Sequence, residues 1–387
     1  MRARFILDQL KESPKSILLL GPRQTGKTTV MNSLSADLVI NLADESEYRT
    51  FLHNPDELRH RINLTQPKTV FIDEIQRLPE LLNTIQVLID QNKNSLKFLL
   101  TGSSARKLKR GSANLLPGRI FSYRLGPLSL LDLDFKMDSD KALEIGCLPE
   151  PYFMGSNKHA HKLLQTYTDT YLKEEILSET LIRNLQGFSH FLNAVAENSG
   201  LFLDLSKLAT KARVTRSSAR RYFEIIEDTL LCDRLDSYYD YENEELSKKL
   251  VKHSKFYLFD VGIKNGVLQN FTSSSDRIGF LFEHLFFNQI KNISYSLDQE
   301  IKAYHFRTLL GKELDFIFKI KNKNIIVELK STEPNSDEIK KIENICKEFN
   351  LGNEIYIACL KCKAKKIGSV VILPWQEVLK DMTERLK

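Results

Sequence analysis

Apolar and polar positions follow two rhythms along this chain. Three short apolar runs close at Leu18-Leu19-Leu20, at Val70-Phe71-Ile72 and at Phe98-Leu99-Leu100, and each gives way to small, polar or acidic residues. Such runs predict buried strands of one parallel sheet, with "IFSYRLG" as a further strand. After "GPLSLLDLDF" the sheet rhythm stops. "HKLLQTYTDTYLKEEILSETLIRNLQGFSHFLNAVAENSG" carries apolar residues at helical spacing. The next stretch divides into a short helix, Leu205 to Ala212, a turn through Val214 and Thr215, and a longer helix, Ser217 to Leu230. Phe223, Ile226 and Leu230 are the core-facing stripe of that helix. "KFYLFDVGIKNG" predicts a strand and a turn, and "DRIGFLFEHLFFNQIKN" an apolar helix. "GKELDFIFKI" and "NIIVELKST" predict two strands joined by the polar turn "KNKN". No repeat or low-complexity linker interrupts the pattern.

The turns after the first strands carry the chemistry. Gly21 and Gly26 bracket four residues, and Lys27 and Thr28 follow, the spacing of a phosphate-binding loop. Both glycines are expected to take backbone angles that a Cβ forbids. Gly21, Pro22, Arg23, Gln24, Thr25, Gly26, Lys27, Thr28 and Thr29 form the expected cradle for ATP, aided by the positive end of a helix starting near Lys27. Lys27 would reach the β- and γ-phosphates and the Thr28 hydroxyl would bind Mg²⁺. Asp73 at the second strand tip suits the Mg²⁺ shell, and Glu74 suits the orientation of an attacking water. A simple helix cap is the competing reading of Asp73. Ser103, with Ser104 behind it, can sense the γ-phosphate or cap a helix. Arg119 could reach a neighbouring subunit's γ-phosphate with its planar fork, with Arg124 as second candidate; otherwise it is a surface residue after a Pro-Gly turn.

Two further groups stand out. The helix–turn–helix spacing around residue 214, with a strand-like stretch after it, is the layout of a winged helix. Arg216, Ser217, Ser218, Arg220 and Arg221 open its second helix and suit DNA phosphates and base edges, or else the module docks a protein. Further on, Glu283 sits on the apolar helix, Asp315 on one strand, and Glu328 and Lys330 on one face of the next. Carboxylates so gathered can hold one or two Mg²⁺ ions while the lysine positions water. The alternative is an internal salt bridge between Glu328 and Lys330.

Composition narrows these readings modestly. The chain has 387 residues, 42% hydrophobic and 9% aromatic, ordinary for a soluble protein of roughly two or three domains. Its 56 basic and 50 acidic residues give a net charge of +6, which permits nucleic-acid contact without arguing for it. No stretch reaches the about 18 uncharged apolar residues of a membrane span, and no signal peptide is read at the start. Five scattered cysteines suit a reducing cytoplasm. Cys359 and Cys362 form a lone C-x-x-C, a weak metal signal without a second pair.

The pieces "GPRQTGKTT", "FIDEIQ", "LTGSSA" and "LPGR" resemble the AAA+ ATPases. With "LGPLSLLD", "GCLPEPY", "KFYLFDVGI" and "FRTLLGKELDFIFKIKNKNIIVELKS" the chain resembles a bacterial and archaeal group that joins an AAA+ domain to a C-terminal domain of unknown function. Cys147 departs from the small residue usual there. Glu283, Asp315, Glu328 and Lys330 resemble the core of the restriction-endonuclease-like, PD-(D/E)XK fold, with Leu314 where a proline is usual. The resemblance implies an α/β protein in three parts: a P-loop AAA+ domain with a parallel sheet over 1–135, a helical lid and winged helix over 136–240, and a PD-(D/E)XK-like domain over 241–387. It implies ATP and Mg²⁺ as cofactors, a homo-oligomeric ring such as a hexamer, and DNA as partner. A nucleotide-dependent switch or scaffold that docks a protein partner without DNA is the second reading, and neither involves a membrane.

Overall fold

A computed structural model describes residues 3–92, 95–103, 116–171, 184–239, 244–321, 323–352 and 354–386. Ser104 and the helical stretch expected at 172–183 lie outside the described residues. The chain divides into two compact units. One comprises Met1–Leu128, Glu224–Leu231 and Tyr295–Asp298; the other comprises Ser129–Phe223, Cys232–Ser294 and Gln299–Lys387.

The first unit is built on five strands, β1 (Ser16–Leu20), β2 (Leu38–Asn41), β3 (Thr69–Asp73), β4 (Lys97–Gly102) and β5 (Ile120–Arg124). They pair in the order β2-β3-β4-β1-β5, and every pairing is parallel. Successive side chains alternate between two cores. Leu18, Leu20, Val70, Ile72, Phe98 and Leu100 join one cluster, while Ile17, Leu19, Phe71 and Leu99 join another. A sheet buried on both faces explains why its strands read as unbroken apolar runs. Parallel pairing also brings the ends of β1, β3 and β4 to the same edge.

The second unit holds an eight-stranded sheet of β6 (Cys232–Ser237), β7 (Lys255–Leu258), β8 (Lys302–Arg307), β9 (Glu313–Ile320), β10 (Lys323–Lys330), β11 (Glu354–Cys359), β12 (Lys365–Ile367) and β13 (Val370–Pro374). The strand order is β12-β13-β11-β10-β9-β8-β6-β7. β8, β9 and β10 run antiparallel in sequence, then β11 joins β10 in parallel. A parallel neighbour needs a crossover, supplied by the helix Ser336–Glu348, which Asn335 and Glu338 close with a capping box. The apolar helix Ile278–Leu297 meets Trp375, the first residue of the last helix, through edge-on contacts of Phe282 and Phe286.

Two local expectations are corrected. The turn expected after "KFYL" is a helix, Val261–Val267. Asp260 caps it, accepting the N–H of Ile263 at 3.2 Å while also taking the Cys147 N–H at 2.7 Å. Gly262 within it serves close approach, because a Cβ would lie 2.1 Å from the Ile145 carbonyl oxygen. The longer helix of the expected pair runs Arg216–Asp228, and Leu230 lies beyond it with φ +63°; the shorter one spans Leu205–Ala212 as expected. Among the described residues no helix is long and apolar enough to cross a membrane.

Candidate active site

The first strand edge gathers the loop and its acids. Gly26 has φ +91° and precedes the helix Lys27–Asn32, as expected of a loop glycine. Gly21 does not adopt such an angle, which corrects the reason given for it. A Cβ on Gly21 would stand 2.1 Å from the Leu125 carbonyl oxygen, so the glycine lets two backbones meet. Lys27 donates from Nζ to the carbonyls of Gly21 (2.9 Å) and Pro22 (2.8 Å), lying back over the loop. Arg4, unnoticed in the sequence, braces that loop: its guanidinium donates to the carbonyls of Thr25 (2.7 Å), Gly126 (2.9 Å) and Pro127 (2.9 Å).

Asp73 ends β3 with its carboxylate held by two hydroxyls. Thr28 Oγ1 donates to Oδ2 at 2.8 Å, and Thr101 Oγ1 donates to Oδ1. Thr28 and Asp73 thus put hard oxygen donors side by side, a set that fits a Mg²⁺ ion arriving with a nucleotide. Glu74 follows at φ +59° and accepts a hydrogen bond from the Gln76 amide. The same Gln76 nitrogen lies 2.9 Å from Ser103 Oγ, so Gln76 joins the water-orienting candidate to the sensor candidate. Gln76 and Thr101 are buried, at 4% and 0% exposure, and sequence reasoning missed both. The one available signal was polar side chains placed at strand ends beside the acids.

The other candidates lie apart from this cluster. Arg119 immediately precedes β5, at the sheet edge opposite the loop, and grips Asp90 with Nε at 2.7 Å and Nη2 at 3.0 Å. Arg124 stacks over the Tyr295 ring at 5.7 Å. Arg216, Arg220 and Arg221 are all exposed on their helix, which Thr215 caps through the Ser218 N–H at 3.1 Å.

The second unit brings its four residues into one charged cluster. Leu329 N–H donates to Asp315 Oδ2 at 2.8 Å, and Asp315 N–H to Glu328 Oε2 at 3.3 Å, so the two acids face each other across β9 and β10. Lys330 Nζ lies 3.1 Å from Glu328. Glu283 is held by a residue that the sequence reading passed over: Lys255 Nζ is 2.8 Å from its Oε1, and the Tyr257 hydroxyl is 2.6 Å from the same oxygen. Burial, reinforced by Glu328 and Glu283, pushes the Asp315 carboxyl well above the usual carboxylate range. Burial pulls the Lys255 ammonium down, but Glu283, Glu313 and Asp315 outweigh it and hold its pKa above the ordinary lysine value. Among the described residues no three acidic, histidine or cysteine side chains are grouped to hold a metal ion. Cys359 is buried in β11, and burial pushes its thiol up to about 12.

Three family models match successive stretches of the chain. Residues 13–133 match the AAA domain family, residues 137–274 a domain of unknown function (DUF8612), and residues 278–378 another (DUF4143). Uncharacterised proteins of Mycobacterium tuberculosis and Mycobacterium bovis are each 24% identical over 328 residues, covering 82% of this chain and 70% of theirs. Among solved structures, a Pif1 helicase at forked DNA aligns at 14% identity and TM-score 0.25 over 42% of this chain and 49% of its own. The replication initiator DnaA with AMPPCP and single-stranded DNA aligns at 13% and 0.25, over 58% and 86%. A signal-transduction ATPase of Pyrococcus horikoshii aligns at 10% and 0.23, over 76% and 47%. Likenesses this distant do not bear on function. The chain carries an AAA-type P-loop ATPase domain.

Proposed function

We propose that this protein hydrolyses ATP with Mg²⁺ at the Gly21–Thr29 loop and couples the hydrolysis to DNA binding or remodelling, as a ring of like subunits in the cytoplasm. The observation that carries the reading is the pair of relays at one sheet edge, Thr28–Asp73–Thr101 and Glu74–Gln76–Ser103. In this reading Lys27 leaves its two carbonyls for the β- and γ-phosphate oxygens. Mg²⁺ supplies charge neutralisation on those oxygens, with Thr28 and Asp73 holding it. Glu74 orients the attacking water, and Gln76 fixes the angle of its carboxylate and reports on Ser103.

The DNA side rests on exposed Arg216, Arg220 and Arg221 along one short helix start. An ATPase assay with single-stranded, duplex and branched DNA at two salt concentrations tests it. Stimulation that fades as salt rises is expected, because phosphate contacts release counterions. ATP hydrolysis indifferent to all three DNAs would leave a nucleotide-dependent switch that docks a protein partner.

The ring is tested through Arg119. Arg119→Ala protein should bind ATP and hydrolyse it slowly, and mixing with Lys27→Ala protein should restore part of the rate. A mixed assembly without rescue would return Arg119 to its Asp90 contact alone.

A further inference from the structure

We propose that the Lys255 ammonium is the resident cation of the second unit's carboxylate cluster, so that the cluster neither needs nor holds a divalent metal. This goes beyond the ATPase reading and stands independently of it.

The residues that would form a metal site there are already committed. Lys255 Nζ lies 2.8 Å from Glu283 and 3.1 Å from Glu313. Arg307 takes the other oxygen of Glu313 at 2.8 Å, and Lys330 takes Glu328 at 3.1 Å, with Glu338 further out at 3.7 Å. Three cations therefore pair with Glu283, Glu313 and Glu328, and Asp315 between them accepts the Leu329 N–H at 2.8 Å. Mg²⁺ or Mn²⁺ needs oxygen bonds of about 2.0–2.2 Å. Glu283 Oε1 already accepts from both Lys255 and the Tyr257 hydroxyl. A divalent ion would have to expel an ammonium that is only 4% exposed or sit against it as a like charge.

Lys255 is not free to withdraw. It opens β7, paired with Leu235 of β6, and bridges to Phe202. Its ammonium also lies 5.8 Å from the Phe202 ring centre. The arrangement leaves Asp315 and Glu328 as a braced pair across two strands and leaves phosphodiester cleavage without its metal.

The test uses the full chain without nucleotide, carrying Asp73→Ala to silence the first unit's oxygen pair, with Mn²⁺ as probe. Wild-type Lys255 protein should show the same Tm with and without millimolar Mn²⁺ and should not cut DNA. Lys255→Met protein should melt several degrees lower, and Mn²⁺ should recover part of the loss; adding Asp315→Asn should abolish that recovery. Stabilisation of the Lys255 protein by Mn²⁺ that Asp315→Asn removes would overturn the proposal, whether or not the Lys255→Met protein folds. ATP hydrolysis by chains with intact Asp73 is scored separately, so failure of the ATPase reading and failure of this one are distinguishable.

Discussion

Asp73 closes β3 and Asp315 lies near the start of β9, and each has a second acid and a lysine nearby, yet the two neighbourhoods handle charge differently. The acids of the first unit are held by neutral donors: Thr28 and Thr101 hydroxyls on Asp73, the Gln76 amide on Glu74. Neutral donors orient a carboxylate and leave its charge to act on something that arrives. In the second unit Glu283, Glu313 and Glu328 are held by ammonium and guanidinium groups, Lys255, Lys330 and Arg307, while Asp315 accepts the Leu329 N–H. There the charge is spent inside the fold. On the two proposals above, similar residue types make a site that waits for a ligand in one unit and a self-satisfied brace in the other.

The largest expected effect separates the roles within the waiting site. Lys27→Ala should cost ATP hydrolysis about 100-fold or more and most of the ATP binding, since the loop backbone alone cannot replace a mobile ammonium on the β- and γ-phosphates. Glu74→Gln should keep ATP bound and unhydrolysed. Nucleotide titration beside a phosphate-release assay checks both, and equal loss of binding in the two variants would sink the assignment.

Next comes Gln76. Gln76→Leu keeps the volume and removes the amide, so kcat should fall by roughly 10–100-fold with KM little changed. A change in KM alone would mean that Gln76 shapes the loop rather than the water-orienting acid.

The brace should respond in stability instead. Lys330→Ala leaves Glu328 without its ammonium in a half-buried position and should destabilise the second unit by about 1–3 kcal/mol. Denaturant melts followed by a probe in that unit would read it. An unchanged melt together with lost DNA cutting would turn the comparison round, making the second cluster the catalytic one.

At neutral pH the smallest effect is that of two buried histidines, which shows itself only in acid. Burial lowers the His284 pKa from 6.5 to about 3, and that of His305 to about 4. Both rings stay neutral in the fold and take protons once unfolded, so the stability tied to them is present above pH 6.5 and is lost as pH falls toward 3. His284 donates from Nε2 to the Leu258 carbonyl at 2.6 Å. His284→Gln, which keeps a donor and cannot titrate, should flatten the acid limb of the second unit's melting profile.

What the sequence made legible follows from locality. The loop spacing, the strand runs and the adjacent acids are local patterns, and their elements formed where expected. Asp315, Glu328 and Lys330 could be grouped because two neighbouring strands and a period of two bring them together. Lys255 could not, since its place depends on β7 pairing with β6 and on a helix contact through Glu283. Its only trace is a lysine opening the apolar run "KFYLF". Gln76 hid in a three-residue turn behind a left-handed glutamate. Gly21 was recognised for its position but given the wrong cause, because Leu125, just past β5, approaches it from about a hundred residues later in the chain.

Arg4 extends that point to the order in which the molecule is made. Its guanidinium closes on carbonyls 21, 122 and 123 residues downstream. At about 5–20 residues per second of synthesis, the last two emerge roughly 6–25 s after Arg4 itself. The nucleotide loop is therefore born early and secured late, after β5 has been added beside β1. Until then Arg4 has only the Thr25 carbonyl of its three partners, and the tie between the loop and the turn after β5 dates from the arrival of Gly126 and Pro127.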